Sequence, residues 1–315
     1  MVILMVIRLG YVSISKTLDN VTSSSTITVS SFNKNNDYNK LSNVIISNLE
    51  SLIKILEYNV KNNIHFYRIS SNLIPLATIP QISFDYIDKY KSYYKRISNI
   101  INKNNMRVDM HPGQFCVLNS TKKEVVKSSI EILKYHYNLL NTMNIENKVL
   151  ILHIGSSVLG KENSMTRFIN NFKKLPMYLQ RIIAIENDDK TFDIQDCLHL
   201  SKKINIPVVL DYHHFLCNNS GENIKEYLPL IFDTWRDFIP KIHFSSPKSK
   251  KEYRHHHEYI DVLSFISFIN ILKEFNRDID IMIEAKGKDE SLFRLIRQLK
   301  YQTNYKFIDE TSFEV

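Results

Sequence analysis

A chain of 315 residues that is 43% hydrophobic and 23% charged, with six glycines and eight prolines, is too apolar for a disordered polymer and too poor in breakers for long linkers. Its 41 Lys+Arg against 33 Asp+Glu, a net +8, favour a polyanionic partner, with nucleic acid ahead of an anionic membrane surface. Three scattered cysteines, Cys116, Cys197 and Cys217, form no paired motif and fit a reducing, intracellular compartment rather than a secreted disulfide scaffold.

The first apolar run is interrupted by Arg8, has no basic stretch before it and no small-residue cleavage site after it, so it reads as a buried strand over 3–11 rather than a signal peptide. No run approaches the ~18 apolar residues of a membrane span. A Ser/Thr/Asn-rich segment over 20–40 reads as a rim loop, and helical periodicity follows over 41–60. A strand over 64–70 precedes a helix over 86–101. The strand over 107–111 closes on His111 and is followed by a helix over 124–140. The strand over 149–154 carries His153, and a helix follows over 166–179. The strand over 182–186 ends on Glu186, before a helix over 195–204. The strand over 206–211 ends on Asp211, with His214 just beyond and a helix over 224–238.

The seventh strand, 240–244, carries Lys241 and His243. A basic cluster of Lys241, Lys248, Lys250, Lys251 and Arg254 is assigned to the loop after it, together with the run His255, His256 and His257. A helix over 259–275, a strand over 279–284 ending on Glu284, and a helix over 290–301 complete the pattern, leaving the tail after Tyr301 as a peripheral strand or an extension. Eight strands, several of them continuous in Val, Ile and Leu, alternating with eight helices predict a single α/β domain, a (β/α)8 TIM barrel spanning 1–315.

One histidine is readily explained as a structural residue bonded to a carbonyl. Six strands that each deliver His, Asp or Glu to the C-terminal rim, where barrel enzymes place their chemistry, are not explained that way. The set predicts a multi-metal site at the C-terminal ends of the strands, and its imidazoles suit Mn2+ or Zn2+ better than Mg2+. Such a site suits phosphodiester hydrolysis, where charge on phosphate oxygens and the leaving alkoxide must be met.

The segments Leu9-Gly-Tyr11, Tyr67-Arg-Ile-Ser-Ser-Asn-Leu-Ile-Pro75, His111-Pro-Gly-Gln114 and Leu152-His-Ile-Gly-Ser156 resemble those of the UV-damage endonucleases. So do Glu186-Asn-Asp-Asp189, Asp211-Tyr-His-His214, Lys241-Ile-His-Phe-Ser-Ser246 and Ile283-Glu-Ala-Lys286. The family is similar in architecture to the endonuclease IV group of abasic-site nucleases. The resemblance implies a metal-dependent barrel that cuts DNA immediately 5′ of cyclobutane pyrimidine dimers and 6-4 photoproducts, using two or three divalent ions. Mn2+ is the first expectation, with Zn2+ or Mg2+ as alternatives, and a monomer acting on damaged double-stranded DNA is expected.

Carried over motif by motif, the implied metal ligands are His111, His153, Glu186, Asp211, His214, His243, His256 and Glu284, with Glu186 as a bridging, catalytic carboxylate. Lys241 matches a catalytic lysine that can be carboxylated in this family; a solvated lysine beside a strand is the other reading. Gln114 and Phe115 match a pair that wedges into the duplex, against a core aromatic under the loop. Tyr11 either lines the damage pocket or fills the barrel, and Arg68 either holds phosphate or pins the rim by ion pairing. Relatives usually carry another His in the loop after the second strand, where this chain has Ile79. Phe115 stands where some relatives carry Tyr. An abasic-site endonuclease and a damage-binding protein with impaired catalysis remain as alternatives.

Overall fold

The computed structural model describes residues 4–315, so residue 3, the first of the expected opening strand, lies outside the described residues. Eight parallel strands follow in chain order: β1 (Val6–Val12), β2 (Phe66–Ile69), β3 (Arg107–Met110), β4 (Leu150–His153), β5 (Ile183–Glu186), β6 (Val208–Asp211), β7 (Lys241–Phe244) and β8 (Ile279–Ile283). Each pairs with the next, and β8 and β2 both pair with β1, which closes the barrel. The expected TIM barrel is the observed architecture.

The helices are α1 (Val29–Asn33), α2 (Tyr38–Lys61), α3 (Lys91–Lys103), α4 (Lys123–Thr142), α5 (Lys161–Phe172), α6 (Met177–Gln180), α7 (Ile194–Ile204), α8 (Tyr212–Cys217), α9 (Ile224–Thr234), α10 (Val262–Leu272) and α11 (Lys288–Gln302). The helix expected over 166–179 is therefore two. α5 stops at Phe172, and Pro176 starts the one-turn α6, because proline supplies no N–H to carry a helix through. The segment over 20–40 is largely irregular but holds the short α1, capped by Thr28. The tail forms β9 (Lys306–Phe307) and β10 (Ser312–Glu314). β10 runs antiparallel to Val6–Arg8 while β2 takes Gly10–Val12, so the tail fills the lower half of the seam between β1 and β2. A Cβ on Gly10 would stand 2.1 Å from the Phe66 carbonyl oxygen, so that seam closes only on glycine.

Alternation along the strands divides the molecule. Residues such as Ile7, Leu9, Val108, Leu152, Ile185, Leu210, Ile242 and Ile281 face the helices and form the main core. The residues between them face the barrel axis, and many are charged: Arg68, Asp109, Glu186, Asp211, Lys241 and Asp280 are all buried. Among the described residues, two small apolar groups share that interior, Val12 with Phe66 and Met282, and Ile151 with Ala184, Val209 and Trp235. The strands are thus covered on both faces, as their composition implied, but one of the covers is an ionic network.

At the N-terminal end of the barrel, Asp280 accepts from Arg8 Nε at 2.6 Å and from Arg107 Nη1 at 2.5 Å. Arg107 also lies 5.5 Å from the Trp235 ring. Asp280 is fully buried, so its removal leaves two largely buried guanidinium groups facing each other. Asp280→Ala should lower the unfolding free energy by roughly 3–5 kcal/mol, the cost of breaking a buried pair on one side. Urea denaturation would measure it, and a loss under about 1 kcal/mol, the value of an exposed pair, would show that these charges are solvated.

Candidate metal centre

Strand ends and one cap assemble the site. His153, Glu186 and Asp211 are the last residues of β4, β5 and β6, while His111 and Glu284 directly follow β3 and β8. His243 is the third residue of β7 and faces the axis. Asp211 also caps α8: its Oδ1 accepts from the His214 backbone N–H at 2.8 Å, which fixes where that imidazole starts. His256 arrives on the loop after β7 through an antiparallel bridge with Pro247. Among the three successive histidines it is the one in the cluster. His255 is exposed, and His257 is engaged with Tyr259.

Glu186 is the hub. Its Oε2 lies 2.9 Å from His111 Nε2 and 3.7 Å from His153 Nε2, and its Oε1 lies 2.6 Å from His243 Nδ1 and 3.9 Å from His214 Nδ1. Three groups of donors lie close enough to hold an ion: His111, His153 and Glu186; Asp211, His214 and His256; and Glu186, Asp211 and His243. Glu186 belongs to two groups, and so does Asp211, a second linking carboxylate that the sequence did not single out. Glu284 is in none of them. Its Oε1 lies 3.3 Å from His243 Nδ1 and accepts from Arg68 Nη1.

The chemistry of these donors fits divalent ions. The buried Asp211 Oδ2 has no hydrogen-bond partner, and an orphaned buried carboxylate oxygen in such a cluster is what a bound cation resolves. Asn187, fully buried, orients the set: its side chain pairs with the Asp211 backbone at 2.9 and 3.0 Å, and its carbonyl lies 3.0 Å from His214 Nδ1. That contact presents His214 Nε2 as the free nitrogen. Burial alone would raise the Glu186 pKa, but the imidazoles of His243, His153 and His111 outweigh it and hold the group well below the usual carboxylate range.

Lys241 sits one layer deeper. It is the first residue of β7, fully buried, with Nζ 2.8 Å from Asp109 Oδ2 and 5.0 Å from the Phe66 ring centroid. It is therefore neither solvated nor part of the exposed basic loop to which the sequence assigned it, because it shares the inward parity of His243. Burial pushes its ammonium down to about 7 against the opposing pull of Asp109. Asp109, which burial would raise, is lowered to about 2 by Lys241 and Arg68. Arg68 joins this pair to the cluster, donating to Asp109 at 3.1 Å and to His243 Nε2 at 2.6 Å. Of its two open readings, pinning is the one its geometry carries: the side chain is 8% exposed and its donors are spent inside the barrel.

The rim residues divide. Phe115 is 78% exposed on the loop after β3, which excludes a core role, and Gln114 beside it is exposed too. Tyr11 is not with them. It has the outward parity of Ile7 and Leu9, is fully buried, and its hydroxyl donates to Asn59 of α2 at 2.8 Å, in the wall between barrel and helix. Ile79 is half-buried against the core, and no residue of the loop after β2 enters a donor group among the described residues. Lys248, Lys250, Lys251 and Arg254 are exposed after β7.

His214 generates a pH test. Burial lowers its pKa, but Asp211 and Glu186 overcome that and raise it from 6.5 to about 9. In the metal-free protein this proton stabilises the fold below 6.5, and the contribution is lost as pH rises through 9. A metal must displace the same proton, so the half-saturating Mn2+ concentration should fall as pH rises towards 9, by up to ~10-fold per unit for each proton released. Titration calorimetry across that window reads it; a flat profile removes His214 from the ligand set.

The UV-endonuclease UvdE family profile matches residues 7–314. A UV DNA damage endonuclease of Bacillus mycoides (strain KBAB4) is 40% identical over 316 residues, covering 98% of this chain and 100% of the relative. The crystal structure of SacUVDE superposes with a TM-score of 0.87 at 40% identity, over 94% of this chain and 98% of that one. Endonuclease IV from Thermus thermophilus shares the fold, with a TM-score of 0.57 at 12% identity over 94% and 100% of the two chains. With its fold and nearly its whole length in common with these relatives, the chain belongs to the UV-endonuclease family.

Proposed function

We propose that this chain, as one domain and as a monomer, hydrolyses the DNA phosphodiester immediately 5′ of cyclobutane pyrimidine dimers and 6-4 photoproducts. The observation that carries the reading is the linkage of three donor groups through two buried carboxylates, Glu186 and Asp211, in a chain of this family. His111, His153, Asp211, His214, His243 and His256 would hold two or three divalent ions with Glu186, with Glu284 beside them. Mn2+ suits this mixed imidazole and carboxylate set, and Zn2+ or Mg2+ are alternatives. Ions held there would supply positive charge for the phosphate oxygens and the leaving alkoxide, and lower the pKa of an attacking water.

The protein's own part is to fix the donors. Asn187 and the Asp211 cap aim His214, Arg68 aims His243 and Glu284, and Lys241 with Asp109 holds Arg68. Lys241 supports the catalytic donors from below, and the lowered pKa of its amine suits carboxylation at neutral pH. Gln114 and Phe115 would replace lost pairing and stacking at the lesion, where the damage itself has already weakened both. Tyr11 would have to leave its packing against α2 to meet a base. Three thiols, two buried and one half-buried and none in a disulfide, support a reducing, intracellular setting. No helix among the described residues is long and apolar enough to cross a membrane.

Incision of an irradiated duplex should stop on chelation and return with Mn2+ better than with Ca2+, which prefers oxygen ligands. Glu186→Gln should lower the incision rate by more than the ~10–100-fold typical of losing an outer partner, with intact-duplex affinity retained. Gel analysis of the nicked strand reads both, and a chelator-resistant activity would sink the mechanism. Replacing Gln114 and Phe115 together by Ala should erase the preference for damaged over intact duplex while the salt slope of binding stays, since that slope counts phosphate contacts. Survival of the preference in fluorescence titrations would remove the wedge assignment.

A further inference from the structure

The loop from β4 to α5, which follows the donor His153, carries two apolar side chains into water. Within it Val158 is 52% and Leu159 71% exposed, and their neighbours Ser157 and Gly160 are exposed as well. Leu159 has φ +66°, a conformation that side chains other than Gly, Asn and Asp rarely adopt. The backbone is nonetheless held fast. Ser164 and Arg167 of α5 both donate to the Val158 carbonyl, Asn163 donates to the Leu159 carbonyl at 2.8 Å, and Gly160 N–H donates to the Ser157 carbonyl at 2.9 Å. The carbonyls are drawn towards the helix, and the two side chains are left outward.

This tip is joined to the loop that bears Phe115. Buried Asn119 donates to the Ser156 carbonyl at 2.8 Å and accepts from its N–H at 3.3 Å, while Arg167 Nε donates to the Asn119 carbonyl at 2.8 Å. Gly155, at φ +113°, makes the junction possible: a Cβ there would lie 2.4 Å from Asn119 Oδ1 and 2.9 Å from Val117 Cγ1. Lys122, exposed at the end of the same loop, and Lys123, exposed as the first residue of α4, have no carboxylate partner among the described residues. Leu230, Leu263 and Tyr301, exposed elsewhere, stand singly on helices, as is ordinary.

We propose that Val158 and Leu159 form a second apolar wedge, pressed against the deoxyribose edges and a base step of the same duplex that Phe115 enters, and that the two loops bend it as one unit. The inference rests on the DNA reading above. Duplex DNA is the occupant because the tip is continuous with the face carrying the donors, is flanked by free cations, and offers the aliphatic side chains that unstack base steps. Phosphate contacts from Lys122 and Lys123 would give affinity without discrimination.

The test uses the full chain and an end-labelled duplex with one defined cyclobutane dimer, beside its intact counterpart, reading affinity and bend by energy transfer. The double variant Val158→Thr, Leu159→Asn removes the apolar surface and keeps a residue that tolerates the positive φ. It should bind the damaged duplex about tenfold more weakly, the scale expected for one uncovered aliphatic side chain. It should lose the bend, raise KM more than it lowers kcat, and leave intact-duplex affinity and salt slope unchanged. Leu159→Gly should weaken damaged-duplex binding likewise with a thermal midpoint no lower than wild type, which separates contact from folding. Wild-type bend and affinity in both variants would overturn the proposal, as would equal weakening on damaged and intact duplex. A protein partner that the variants fail to bind, with DNA bending intact, would overturn it too. If wild type bends the damaged duplex but cuts none, the endonuclease reading fails while the wedge stands.

Discussion

A carboxylate that is 1% exposed must either bind a proton or be answered by charge, and Glu186 is answered. Imidazoles from β4, β7 and α8, and from the residue after β3, surround it. Behind His243 stands Arg68, and behind Arg68 stand Asp109 and Lys241. Each of these groups would be costly alone in the barrel, and each is tolerated because the next one pairs with it. The interior is thus a chain of dependences running down from the site, and the strands are cut to serve it. Many of the inward positions carry a charge, while the intervening positions hold the barrel to its helices.

Much of this was legible from residue order. Runs of Val, Ile and Leu marked several of the strands, and His, Asp or Glu at the end of a run marked the rim, since a polar residue closing an apolar strand has to face something. The parity within the runs carried further information. Arg107-Val-Asp-Met alternates plainly, which marks Asp109 as inward, and Lys241 stands two residues from His243 and so shares its face. Tyr11 falls in step with Ile7 and Leu9, which places it outward against α2. What no sequence pattern supplied is the pairing across the axis. Asp280 meets Arg8 and Arg107 from strands 272 and 173 positions away, and Asp211 links two donor groups only once β5, β6 and β7 stand side by side.

A polar barrel interior is not the most stable filling available, since buried ion pairs often do no better than well-packed apolar side chains. Its advantage here is geometric. A donor set must be held within fractions of an ångström before any ion or substrate arrives, and side chains fixed by two or three charged partners keep one rotamer where aliphatic packing would leave several. Arg68 illustrates this. Its fork contacts Asp109, Glu284 and His243 at once, so one rigid group sets two members of the site.

The buried donors and the exposed rim residues are therefore separated in the chain. Most of the donors lie on strand ends or on the first turn after a strand, where the barrel fixes them, whereas Gln114, Phe115, Lys122, Lys250 and Lys251 lie on loops after β3 and β7. Loops can exchange residues without disturbing the interior network. Ile79 fits that division. It stands on a loop, packed against apolar neighbours, while the carboxylates and imidazoles form their three groups without a contribution from it. A residue lost from the rim changes how many donors an ion meets; a residue lost from the axis would leave a buried charge unanswered. The interior therefore tolerates substitution least, and the loops are where members of one family have room to differ.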